Sequence, residues 1–183
     1  MIDVLRMRYR VQFLSLFGES FQGWIAGLLE QIDPRFTRTR LTRGDGGLDG
    51  FAIYDRHVFQ VWGPRRGKDS DLAKKITSDF GKAMHTLDGG VQCWTLIHND
   101  PEGALGKDSL AAISELTKAH PQITIDEIGI DKLWKALKGA VSIERLEALF
   151  PPSPGEEEPS GPSMIPLEDV RLQRFDALLV RHY

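Results

Sequence analysis

Two aspartates sit in a glycine-rich turn, GDGGLDG over residues 44–50, and a lone amide, Gln60, interrupts the apolar run VFQVW at 58–62. A hairpin with one arm beginning at Asp49 and the other running through Gln60 would bring the two side chains together. Carboxylate and amide oxygens are hard ligands. Magnesium asks for few of them, because it keeps several waters and takes other ligands from phosphate. Such a pair makes a magnesium site feasible. The plainer alternative is that Asp45 and Asp49 only shape the turn, and that Gln60 bonds a neighbouring peptide group.

Cations gather on both sides of this stretch. Arg35, Arg38, Arg40 and Arg43 precede it, and Arg65, Arg66 and Lys68 follow it. A net charge of -3 excludes a generally basic protein, so affinity for a polyanion has to come from these local clusters. The alternative is a solvated charged face. Trp62 can stack on a base or fill a core, and Trp94 and Trp134 read as core. The five histidines are scattered without ligand spacing, so no zinc site is expected.

The elements that would position these groups alternate between helix and strand. Over 3–16, Val4, Met7, Val11 and Leu14 fit a helix, while the β-branched and aromatic content would also allow a strand; the spacing favours the helix. Phe17, Phe21, Ile25, Leu28 and Ile32 mark a second helix over 19–31, stopped by Asp33-Pro34. Residues 36–42 alternate as a strand with Arg38 and Arg40 on one side. Short strands follow at 51–54 and 57–62, then a helix over 70–87 with Asp69 or Ser70 as N-cap. The apolar run at 91–99 is a buried strand, 107–119 a helix, 123–128 a strand, and 130–138 and 142–149 two short helices. An α/β domain over 1–150 results. Residues 151–163, rich in Pro, Gly, Ser and Glu, form a linker, and 164–183 carry an amphipathic tail helix.

In this order the chain resembles the restriction-endonuclease-like, or PD-(D/E)XK, superfamily, and within it the Mrr-type branch. GESFQGW (18–24), GDGGLDG (44–50) and FQVW (59–62) fall in the family's sequence of motifs. The chain is also similar to small components of ABC-three-component-type bacterial defence systems. There W-x-x-x-x-N-D (94–100) and D-x-L-W (131–134) have counterparts, so the likeness extends over about residues 17–149.

The resemblance implies an αβββαβ core, a mixed central sheet flanked by helices, and a C-terminal helical extension. It implies hydrolysis of DNA phosphodiesters in anti-phage defence, with magnesium or manganese held by Asp49, Glu19 and Gln60. Gln22 would join Glu19 on the first-helix face. Two positions depart from the family pattern: Trp62 stands where the family carries a lysine, and Gln22 where it carries an acid. Lys74, Lys75 or Lys82 on the following helix, or Arg65 and Arg66, would have to supply the missing cation, with Lys75 the one assigned. Arg38, Arg40, Arg43, Arg65, Arg66 and Lys68 would contact phosphates.

The competing expectation is a non-catalytic adaptor or nucleic-acid-binding module of the same fold that assembles with a partner protein such as an ATPase. Trp62 favours it. A homodimer is a further expected assembly. A single cysteine, Cys93, points to a reducing compartment, and the arginines at 6, 8 and 10 break any signal-peptide core. A cytoplasmic protein without a membrane span is therefore expected.

Overall fold

The computed structural model describes residues 1–39, 50–52 and 56–152, with the backbone alone at 50–52. The elements run α1 (Ile2–Ser15), α2 (Gly18–Ile32), β1 (Phe36–Arg38), β2 (Gly50–Ala52), β3 (His57–Trp62), α3 (Asp69–Thr86), β4 (Cys93–His98), α4 (Lys107–Ala119), β5 (Thr124–Ile128), α5 (Ile130–Ala140) and α6 (Ile143–Leu149). The strands form a single sheet in the order β1-β2-β3-β4-β5. β1, β2 and β3 pair antiparallel, while β3, β4 and β5 run parallel. The parallel pairs need crossovers, and α3 and α4 supply them.

Helices cover both faces of the sheet, so the central strands are apolar on both sides rather than alternating. Phe59, Val61 and Ile97 pack against Leu5, Tyr9 and Phe13 of α1, Phe21 and Ile25 of α2, and Leu133 of α5. Val58, Trp94 and Leu96 pack against Leu72, Ile76, Phe80 and Ala83 of α3. Tyr9 is fully buried, its hydroxyl donates to the Ile130 carbonyl at 2.8 Å, and burial raises its pKa.

The chain divides into two units, Met1–Pro151 and Pro152–Tyr183. The expected linker, from residue 153 on, and the tail helix over 164–183 lie outside the described residues, as do the GDGGLDG turn up to Asp49 and the strand residues 40–42.

Two local expectations are corrected. The stripe Val4, Met7, Val11 and Leu14 on which α1 was read faces outward, and the buried residues are Leu5, Tyr9 and Phe13. Both faces of α1 are apolar, so periodicity establishes the helix without saying which face turns inward. Neither Asp69 nor Ser70 caps α3, whose N-cap is Lys68. The Asp69 carboxylate instead accepts the Asp108 amide at 2.7 Å and the Ser109 amide at 3.3 Å, capping α4 from outside that helix. Gly106 has to be glycine for this, because a Cβ there would lie 2.3 Å from the Asp69 carboxyl carbon.

Candidate functional site

Gln60 lies on β3, the middle strand of the sheet, and is only 3% exposed. Its neighbours Phe59 and Val61 point toward α1 and α2, whereas Val58 and Trp62 belong to the α3 side. Strand alternation therefore turns Gln60 toward the α3 layer. The last described pair between β2 and β3 is Gly50 with Phe59. Asp49, the residue before Gly50, is outside the described residues, and so are Asp45, Arg40 and Arg43.

The first-helix residues belong to the other layer. Glu19 is exposed in the first turn of α2. Gln22 donates from Nε2 to the Val61 carbonyl at 3.3 Å, a bond that ties α2 to the β3 backbone. The start of α2 meets the end of β3, where the Gly18 amide donates to the Gly63 carbonyl at 2.6 Å. The approach is so close that a Cβ on Gly63 would lie 2.2 Å from the Phe21 ring. Gln22 thus approaches β3 from the face opposite to the one Gln60 looks toward, while Glu19 is exposed at the start of the same helix. Among the described residues, no group of three or more His, Cys, Asp and Glu could hold a metal ion.

The cationic candidates divide by their partners. Arg38 is committed to Glu30 of α2 through paired Nε–Oε1 and Nη2–Oε2 bonds, which hold β1 against that helix. Lys75 pairs with Asp79 one turn on, and Lys82 reaches the same carboxylate at 3.2 Å. Asp79 is 3% exposed, so a buried acid with two lysines stands on α3, in the layer Gln60 faces. Sequence reasoning missed this acid, although its spacing from Lys75 and Lys82 is the ordinary helical ion-pair spacing.

Arg65, Arg66 and Lys68 are exposed in the loop after β3. They edge two clefts at the carboxyl ends of the parallel strands, the usual place for ligands in open α/β sheets. One, of about 350 Å³, is lined by Phe17, Trp62, Arg65, Arg66, Asn99 and Asp100. The other, of about 250 Å³, is lined by Trp62, Lys68, Asp69, Leu72, Asp100 and Leu105. Trp62 is a wall of both, and Gly67 lies so close that a Cβ there would be 2.5 Å from its indole.

Residues at and just beyond the end of β4 support the cleft floor. Asn99 is 9% exposed, donates from Nδ2 to the Pro64 carbonyl at 3.3 Å, and receives the β3 end through its own amide bond to the Trp62 carbonyl. His98 is fully buried and bonds Glu127 of β5 through Nε2 at 2.9 Å. Glu127 is held at a pKa of about 2, first by that bond and then by Lys132, against the opposing effect of burial. The Asp69 carboxyl is likewise lowered, chiefly by its bond to the Ser109 hydroxyl.

No helix among the described residues is long and apolar enough to cross a membrane. The chain is a mixed α/β protein, and comparison with protein-family models, with curated proteins and with solved structures finds no match.

Proposed function

We propose that this chain is a restriction-endonuclease-like protein that hydrolyses DNA phosphodiesters with a divalent cation, as a component of a bacterial anti-phage defence system. One observation carries the reading. α2-β1-β2-β3-α3-β4 runs as a helix, a three-strand antiparallel meander and a crossover helix to a parallel fourth strand, and Gln60 occupies the strand position the resemblance assigns to a ligand.

Asp49 and Gln60 would hold magnesium or manganese, with Glu19 left out because it belongs to the other layer. The ion, when bound, supplies charge withdrawal from the phosphate. The chain's own residues do the rest. Gln60 offers a rigid amide, locked in the centre of the sheet. Lys75, bonded to Asp79, is the cation assigned to stand in for the lysine that Trp62 replaces. Arg65, Arg66 and Lys68 at the cleft edge hold the DNA backbone, so that each Arg→Ala change would lower the salt dependence of binding by about one phosphate contact.

The test is incubation of plasmid and linear DNA with the full chain in magnesium, manganese or chelator, beside Asp49→Ala. Metal-dependent cleavage that vanishes in the variant supports the reading, and metal-independent or Asp49-independent cleavage overturns it.

Trp62 favours a second reading, a non-catalytic adaptor of the same fold. An indole cannot orient an attacking water or stabilise phosphate charge as an ammonium does. Salt-sensitive DNA binding without cleavage under any metal condition would favour that reading.

A further inference from the structure

The arginines of this molecule divide by whether they have a carboxylate. Arg6 and Arg10 share Asp131, Arg35 pairs with Asp33 and Arg38 with Glu30, whereas Arg65 and Arg66 make no ion pair or side-chain hydrogen bond among the described residues. Both edge the cleft of about 350 Å³ at the carboxyl ends of β3 and β4, a volume in the range of small-molecule sites. Trp62, Phe17 and Pro64 give that cleft apolar walls. The Gly67 backbone, packed against the indole, fixes the Trp62 ring. Asn99 and Asp100, at the end of β4, supply the polar lining. The Asn99 amide donates from Nδ2 to the Pro64 carbonyl at 3.3 Å and the Leu16 carbonyl at 3.5 Å, which uses both of its protons within the chain. Its Oδ1 accepts no bond from a described residue and keeps access to solvent. Asp100 accepts the Glu102 amide on Oδ1 at 2.9 Å, and its Oδ2 has no partner among the described residues. Two acceptors on consecutive residues thus line a cleft with an aromatic wall and two uncommitted guanidinium groups at its rim.

We propose that this cleft binds one guanine nucleotide unit whose base is unpaired. Guanine presents two adjacent donors, N1–H and the 2-amino group, on its Watson–Crick edge, and two acceptors ask for that pattern. Adenine and cytosine set a bare ring nitrogen beside their amine, and thymine sets one N–H between two carbonyls, so each of them brings an acceptor against Asn99 Oδ1 or Asp100 Oδ2. In a duplex the guanine edge is occupied by cytosine, so only an unpaired base fits. Trp62 supplies the stacking surface, and Arg65 and Arg66 hold the phosphate. The unit comes from a DNA strand or from a free mononucleotide, which share this chemistry. Its binding requires neither a divalent cation nor cleavage, and rests on the proposed function only in that Arg65 and Arg66 contact phosphate in both.

The test uses labelled single strands of about fifteen thymidines, alone or with a central guanine, adenine or cytosine, titrated with the full chain in chelator by fluorescence anisotropy. The guanine strand is expected to bind at least about tenfold more tightly than the other three, and pairing it to its complement is expected to remove the gain. Asp100→Asn keeps an acceptor for the Glu102 amide but turns the second acceptor into a donor. It is expected to bring the guanine strand within about twofold of the thymidine strand, whose own affinity stays at the wild-type value. Trp62→Ala is expected to weaken the guanine strand at least about tenfold, with Trp62→Phe in between. Circular dichroism checks that the variants are folded. Calorimetry with deoxyguanosine and thymidine monophosphates separates the sources: deoxyguanosine monophosphate binding as tightly as the guanine strand assigns the cleft to the free nucleotide, and selective strand binding without it assigns the cleft to DNA. Equal, salt-sensitive binding of all four strands overturns the guanine site and leaves the proposed DNA contacts standing. Binding of no strand and no mononucleotide overturns both. A guanine preference unchanged in Asp100→Asn and in Trp62→Ala overturns the site as well.

Discussion

His98 of β4 donates its Nε2 proton to Glu127 of β5 across 2.9 Å, while its Nδ1 accepts the Asp100 amide at 3.3 Å. One imidazole thereby joins two strands and fixes the first turn of the loop that floors both clefts. The tautomer follows from the partners, because an amide can only donate and leaves Nδ1 as the acceptor.

This bond predicts an acid-sensitive stability. Glu127 has a folded pKa of about 2 against an ordinary value of 4.5, so its contribution is complete above about 4.5 and lost as pH falls toward 2. Its size is about 2 kcal/mol, discounted for the partial exposure of the carboxylate. Urea midpoints at pH 7 and pH 3 should show a loss in the wild type that Glu127→Gln largely lacks. Equal losses in both proteins would contradict the assignment.

The Asp69 cap predicts an effect on a helix to which Asp69 does not belong. Asp69→Ala should cost about 1–2 kcal/mol in urea unfolding, whereas Ser70→Ala should cost less than about 0.5 kcal/mol. Hydrogen exchange should place the loss in the first turn of α4 rather than in α3. Faster exchange confined to α3 would restore the local capping expected from sequence.

Most elements were legible because their periodicity is strong. The helix expected over 107–119 coincides with α4, and the strand expected over 57–62 with β3. What sequence could not show was direction. Val4 and Leu5 both suit a helix, and only the packing of Tyr9 and Phe13 against α2 and α5 decides that Leu5 turns inward. Long-range partners were equally hidden, since Asp69 and Ser109, or His98 and Glu127, meet only after the sheet and its crossover helices have formed. At the candidate site, Gln60 was legible as a polar residue in an apolar run. The approach of Gln22 from the opposite face was not, because which face of β3 receives α2 is a property of the assembled layers.

Lys75 and Lys82 share Asp79, and this supplies an internal control. Each Lys→Ala change removes one cation from the same buried carboxylate, so the two variants should lose similar stability, about 1 kcal/mol. Only Lys75→Ala should abolish cleavage if Lys75 is the catalytic substitute. Equal cleavage by the two variants would remove Lys75 from that role and leave Arg65 and Arg66 to be tested in turn.

The central proposal is that Asp49, which precedes β2 in sequence, and Gln60 of β3 share one divalent cation. Calorimetric titration of manganese into the wild type, Asp49→Ala and Gln60→Leu addresses it without DNA or turnover. The account predicts one binding site in the wild type, lost in Asp49→Ala and weakened at least about tenfold in Gln60→Leu. Absence of binding in the wild type, or equal binding in all three proteins, would contradict it.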